Sequence, residues 1–177
     1  MSQPFFTVGH SNRTGDEFID LLRTARIGMA VDVRRLPGSR AHPQFDSENL
    51  AQTLAEVQIG YELIVPLGGR RKKVEDVPAE TNGAWQNRSF HNYADYALTE
   101  DFKAGFDRLL ALGRESRCAI MCSEAVWWRC HRRIISDHLL ANGEQVFHLM
   151  GSGRIDPAVP TDGAVFHDGG SVTYPAR

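Results

Sequence analysis

Cys118-Ala119-Ile120-Met121-Cys122 runs straight into Ser123-Glu124-Ala125-Val126-Trp127-Trp128-Arg129-Cys130-His131-Arg132-Arg133, and this stretch decides the fold. Five apolar residues without polar alternation read as a strand buried on both faces, the pattern of a parallel sheet. A short polar loop leads into a helix that starts near Arg129, with a helical pattern over Arg132 to Ala141 and Gly143 as its stop. Val146-Phe147-His148-Leu149 is then the next strand.

Working outward, the same alternation repeats. Phe5-Phe6-Thr7-Val8 is a buried strand that ends at Gly9-His10-Ser11. Thr14-Gly15-Asp16-Glu17 has the form of a capping box, and Phe18, Leu21, Leu22 and Ala25 follow at helical spacing. Met29 to Val33 is a second strand, and Ser47 is placed to cap a helix bearing Leu50, Leu54 and Val57. Tyr61 to Val65 is a third strand, cut off by Pro66 and Gly68-Gly69. Arg70 to Arg88 is a long charged excursion of the kind that forms lids or binding segments. Thr99 opens a helix carrying Phe102, Phe106, Leu109 and Leu110. The expected fold is α/β: a single domain over residues 1–150, with a mostly parallel five-stranded sheet and helices on both faces. Residues 151–177, rich in glycine and proline, read as an irregular tail.

The 177 residues carry 20 basic and 22 acidic side chains for a net charge of −2, which excludes a disordered chain and disfavours a broad duplex-binding face. No apolar run is long enough to span a bilayer, and Met1-Ser2-Gln3-Pro4 is no secretory leader. The three cysteines form no disulfide framework, so reduced thiols, a cytoplasmic location and no membrane partner are expected. No cofactor is implied, and oligomeric state is not legible.

In a parallel sheet, ligands bind beyond the carboxyl ends of the strands. The segments that follow the first four strands hold Arg13, then Arg34, Arg35 and Arg40, then Arg70, Arg71, Lys72 and Lys73, then Arg129, Arg132 and Arg133. That is eleven of the 20 cations, against only Asp46 and Glu124 as acids. Clustered charge of this kind attracts phosphate-bearing partners, a nucleotide or a nucleic-acid end. His10 is placed to bind or orient such an anion, and Asp32 to orient the Arg34 guanidinium. Cys122, facing a helix N-terminus and several guanidinium groups, is read either as a thiol that favours its thiolate or as a buried strand-end thiol that merely packs. Glu124 is read either as an acid or base with a raised pKa or as a salt-bridge partner of Arg34, Arg129 or Arg132. Phe45, Trp127 and Trp128 stand among cations, as in base-stacking surfaces, which keeps a single-stranded nucleic-acid module in view. His138 and His148 read as satisfied core histidines. The spacing of Cys122, Cys130 and His131 lacks the paired C-x2-C of structural zinc sites, so no metal is assigned.

The order of strand, Cys122, loop, Arg129 and helix resembles the active-site loop of rhodanese and cysteine-phosphatase folds. That resemblance implies sulfur or phosphoryl transfer through Cys122. The loop here is C-x6-R and contains Glu124, Trp127 and Trp128 but no glycine, which departs from that pattern. Thr7-Val8-Gly9-His10-Ser11-Asn12, Val31-Asp32-Val33-Arg34, Pro43-Gln44-Phe45, Leu67-Gly68-Gly69, Tyr93-Ala94-Asp95-Tyr96 and Met121-Cys122-Ser123-Glu124 with Trp128-Arg129-Cys130-His131-Arg132 resemble the family called domain of unknown function 488. The likeness runs from Phe5 to Leu149 and implies a shared α/β fold and a shared site without naming a reaction. It maps that site onto His10, Ser11, Asp32, Arg34, Arg40, Gln44, Cys122, Glu124, Cys130, His131 and Arg132.

Overall fold

The computed structural model describes residues 3–38 and 41–176. Six strands share one sheet: β1 (Phe5–Gly9), β2 (Met29–Asp32), β3 (Gly60–Leu63), β4 (Cys118–Cys122), β5 (Val146–Gly151) and β6 (Arg154–Pro157). Their order is β3-β2-β4-β1-β5-β6, with β1 to β5 parallel and β6 antiparallel to β5. Five helices, α1 (Gly15–Thr24), α2 (Ser47–Glu56), α3 (Arg88–Tyr96), α4 (Glu100–Glu115) and α5 (Arg132–Ala141), cover it. Among the described residues no helix is long and apolar enough to cross a membrane.

Period-two alternation divides the core between the two faces. Phe6, Val8, Ala30, Ala119 and Met121 pack against Phe18 and Leu22 of α1 and Leu50 and Leu54 of α2. Phe5, Val31, Cys118 and Ile120 turn the other way, toward Tyr93, Phe102, Leu109 and Ile134 of α3, α4 and α5. Each buried Leu or Phe contributes about 1.5–3 kcal/mol, so both helical layers hold the sheet. Helix α4 lies so close that a Cβ on Gly113 would sit 2.2 Å from the Phe5 ring.

The capping box of α1 is present, with Thr14 Oγ1 accepting from the Glu17 amide and Glu17 Oε1 from the Thr14 amide. Thr99 caps α4 with a single bond, its Oγ1 accepting from the Phe102 amide. Ser47, expected as a cap, is instead the first residue of α2, and Asp46 takes the cap position. The third strand ends earlier than expected, at Leu63, because Val65–Leu67 curls into a 3-10 turn around Pro66.

The largest correction lies beyond residue 150, where a sixth strand replaces the expected irregular tail. Gly151, Ser152 and Gly153 all take positive φ, and this left-handed run reverses the chain so that β6 pairs with β5. Two further short strands, β7 (Val165–Phe166) and β8 (Val172–Thr173), form a separate hairpin sheet. Tyr174 then plugs into the molecule. Its hydroxyl donates to Asp137 Oδ2 at 2.7 Å, and its amide donates to Asn82 Oδ1 at 2.9 Å. Asn82 in turn donates to Asp95, so one buried polar chain ties the final segment to the 70–88 excursion and to two helices.

Candidate functional site at the strand ends

Parallel pairing continues past the ends of the strands and draws their loops together. The His10 amide donates to the Cys122 carbonyl at 2.9 Å, Ser11 to Ser123 at 3.0 Å and Val33 to Met121 at 3.0 Å. The loop after β4 folds back over the end of β1 so tightly that a Cβ on Gly9 would lie 1.8 Å from the Glu124 carbonyl oxygen. A cavity of about 810 Å³ opens between these loops. Arg34, Arg35, Arg70 and Arg129 line it, with Glu124 as the only carboxylate among the described lining residues. Ser11 and Arg70 in its wall hold positive φ, a conformation uncommon for residues with side chains.

Arg34 is anchored from below. Asp32, fully buried at the end of β2, accepts from Arg34 Nε at 3.0 Å, from Nη2 at 2.7 Å and from the Arg34 amide at 3.0 Å. The Tyr61 hydroxyl also donates to Asp32. Burial works against the guanidinium charge, but the Asp32 bonds outweigh it and raise the Arg34 pKa further. Arg34 Nη1 is left 3.4 Å from His10 Nε2. His10 Nδ1 faces the Ser11 carbonyl at 2.8 Å, which assigns the proton to Nδ1 and leaves Nε2 as the acceptor. Burial lowers the His10 pKa and the charges of Arg34 and His42 add to this, so the ring is neutral at physiological pH.

On the other wall, Cys122 and Cys130 bring their sulfurs to 2.7 Å in a shared hydrogen bond. Burial pushes the Cys122 thiol well up, and the bond and charge of Cys130 add to it. Cys130 moves the opposite way. Burial opposes its ionisation, but the Cys122 hydrogen bond, the Arg132 guanidinium and the Arg132 amide outweigh burial and lower its pKa. The thiol expected to ionise was Cys122; the geometry favours its partner. His131 Nε2 lies 2.7 Å from the Val33 carbonyl and must donate to it, so Nδ1, 3.5 Å from Cys130 Sγ, presents a lone pair. Gly69 makes room for that ring, since a Cβ there would approach Nδ1 to 2.9 Å. Cys130 and His131 stand before the first turn of α5, not on a helix begun at Arg129, because Trp127–Arg129 forms a separate 3-10 turn.

Arg132 is only 1 % exposed and acts beneath the cavity. Its Nη2 donates to the Glu124 and Ala125 carbonyls at 3.0 and 3.1 Å, which folds the β4–α5 loop around it. Nε and Nη1 have no hydrogen-bond partner, and among the described residues no carboxylate pairs with this side chain. A buried cation without a carboxylate costs several kcal/mol unless another negative group approaches.

Of the residues singled out from sequence, His10, Ser11, Arg34, Cys122, Glu124, Arg129 and His131 line the cavity. Asp32 and Arg132 lie behind its wall. Gln44 donates to the Arg13 carbonyl and is not among the lining residues. Arg40 lies outside the described residues. Glu124 is exposed, not desolvated between a thiol and indoles, and it is its carbonyl, not its carboxylate, that binds Arg132. Several cations of the same loops turn elsewhere: Arg13 to the Met150 carbonyl, Arg71 to the Val65 and Gly68 carbonyls, Arg133 to Thr161. Phe45 is buried beneath the His10 ring at 4.4 Å, and Trp127 stacks on His148 at 4.5 Å, so of that aromatic trio only Trp128 is well exposed. His148 bonds Thr7, as a satisfied core histidine should, whereas His138 Nε2 has no partner. The contributions of Tyr61, Tyr93, Asn87 and Ser89 were not read from the sequence. Asn87 and Ser89 carried only the signal of a helix start, whereas Tyr61 stood within a strand and Tyr93 within a helix without any sign that they reach the site.

The fold and this edge define an α/β protein with a basic, thiol-bearing cleft at the carboxyl ends of parallel strands. The chain belongs to the family described as Domain of unknown function DUF488, whose family model matches residues 14–139. That span includes both thiols and every lining arginine but leaves His10, Ser11 and the strands from β5 onward outside. The comparisons found no matching curated protein and no matching solved structure.

Proposed function

We propose that the cleft binds a phosphate-bearing ligand, a nucleotide or the end of a nucleic acid. The observation that carries this reading is the charge of the lining: four guanidinium groups against one lining carboxylate, with only Arg34, among the described residues, paired to an acid, Asp32, behind the wall. Arg34 is already held by Asp32, so less side-chain entropy is lost when an anion docks. Ser11, Asn12, Ser123, Asn87 and Ser89 supply neutral hydrogen-bonding groups, and Phe90 and Tyr93 supply an apolar wall. A volume near 810 Å³ suits a mononucleotide-sized ligand. With Phe45 buried and Trp127 stacked internally, the surface offers little to successive bases of a long single strand. Covalent transfer through Cys122 is the weaker reading, since burial keeps that thiol protonated.

Thermal-shift titration with inorganic phosphate and a panel of nucleoside phosphates tests the proposal, with Arg129→Ala as the variant because Arg129 is exposed and lines the cavity. Wild type should gain Tm with at least one ligand, and Arg129→Ala should weaken that ligand about tenfold. No shift for wild type with any of them overturns the reading.

A further inference from the structure

We propose that Cys130 and Cys122 form a redox-active dithiol that performs thiol–disulfide exchange, with Cys130 as the attacking sulfur and Cys122 as the resolving one. Eight residues apart in sequence, the two sulfurs meet because Arg132 gathers the intervening loop by its Glu124 and Ala125 carbonyls. At 2.7 Å they need to close by only roughly 0.7 Å to reach bonding distance. Buried thiols often pack as small hydrophobes. Three features separate this pair from that bland case. Cys122 and Cys130 both line the cavity, which gives a small reagent a route toward the pair although each residue is under 10 % exposed. Cys130 has a base, His131 Nδ1, at 3.5 Å with its lone pair toward the sulfur. The Arg132 amide points at the same sulfur at 3.5 Å, and the buried Arg132 guanidinium lacks a carboxylate, so a negative Cys130 supplies the missing counter-charge.

The co-reactant is a low-molecular-weight disulfide, RSSR. Cys130 passes its proton to His131 Nδ1 and attacks one sulfur of RSSR; that S–S bond breaks, and the departing RS⁻ takes the proton from His131. Cys122 then attacks the Cys130 sulfur of the mixed disulfide, expelling the second RS⁻, which takes the Cys122 proton. Two protein thiols are oxidised to one disulfide, and RSSR is reduced to two RSH. A dithiol reductant reverses both steps.

The test uses the intact protein and an uncharged probe, bis(2-hydroxyethyl) disulfide, so that its outcome is independent of the phosphate-binding reading. After exposure, free thiols are alkylated, the chain is unfolded without reductant and digested with trypsin, which cuts between the two cysteines at Arg129. The expected product links peptide 118–129 to peptide 130–132, with fragmentation placing the bond on Cys122 and not Cys118. Cys122→Ser should accumulate the mixed disulfide on Cys130, and Cys130→Ser should slow consumption of the probe at least about tenfold. Three free thiols in treated wild type, or a link that uses Cys118 as often as Cys122, overturns the proposal. An adduct on Cys122 that forms equally fast without Cys130 overturns it as well.

Discussion

Strand β4 begins and ends with cysteine, and its two ends show how one side chain takes on two chemistries. At the amino end, burial pushes the Cys118 thiol up to about 12, and the nearby Glu62 charge adds to this. Arg117 precedes it directly in sequence, yet donates to the Ala25 carbonyl and lies over the Phe6 ring. At the carboxyl end Cys122 is just as buried, but the returning loop sets beside it Cys130, whose pKa is lowered by the Cys122 hydrogen bond, Arg132 and its amide against the cost of burial. A cation adjacent along the chain did nothing for Cys118; a cation two residues past Cys130 and folded beneath the loop altered that thiol. Burial is common to both ends, so the difference comes from where the parallel strands send their loops.

The contrast breaks most readily by alkylation. Burial pushes the Cys118 thiol up to about 12, whereas the Cys130 thiol is shifted the opposite way, so the thiolate is far more accessible at Cys130. Iodoacetamide on the native protein should modify Cys130 at least about tenfold faster than Cys118, with a rate that climbs with pH and levels off earlier than that of an ordinary thiol. Equal labelling of the two residues removes the distinction between the ends.

The same comparison sharpens through two glycines. At the carboxyl end, Gly9 admits backbone: an added Cβ meets the Glu124 carbonyl oxygen, which cannot swing aside. Gly9→Ala should cost about 3 kcal/mol in chemical denaturation and raise the pH at which Cys130 alkylates, because the loop is pushed off β1. At the amino end, Gly113 faces the buried Phe5 ring, a side chain instead of backbone, and alanine favours a helix. Gly113→Ala should cost about 1–2 kcal/mol and leave Cys130 alkylation unchanged. A Gly113→Ala protein with altered Cys130 reactivity would show that the two ends are coupled.

Much of the fold was legible because its signals are local. The unbroken apolar runs Phe5 to Val8 and Cys118 to Cys122 need no partner to read as buried strands, and Thr14 with Glu17 names its own helix start. The sixth strand escaped because it depends on a left-handed turn at Gly151 to Gly153 and on an available edge of β5; Arg154–Pro157 has no apolar alternation of its own. At the site, counting cations by loop located the basic cleft, but could not tell Arg129, which faces the cavity, from Arg132, which lies under the wall. Nor could it tell Arg34 from Arg13. Direction of a long side chain is decided by which carbonyls and carboxylates surround it, and those come from other elements. The desolvated alternative for Glu124 fails for the same reason: Ala125, Val126 and Trp127 follow it along the chain, yet in space it is exposed.

The sequence alone determined that strands and helices alternate over the first five strands, that β1 and β4 are buried on both faces, and that cations concentrate in the segments after the strands, since each of these follows from residue order and short-range spacing. Tertiary structure decided which of those cations share a cavity, which of three thiols has its pKa lowered, and that the final segment is woven into the core. Those outcomes rest on hydrogen bonds and charges between residues far apart in the chain, such as His131 on the Val33 carbonyl and Tyr174 on Asp137, and only the packed arrangement brings them within reach.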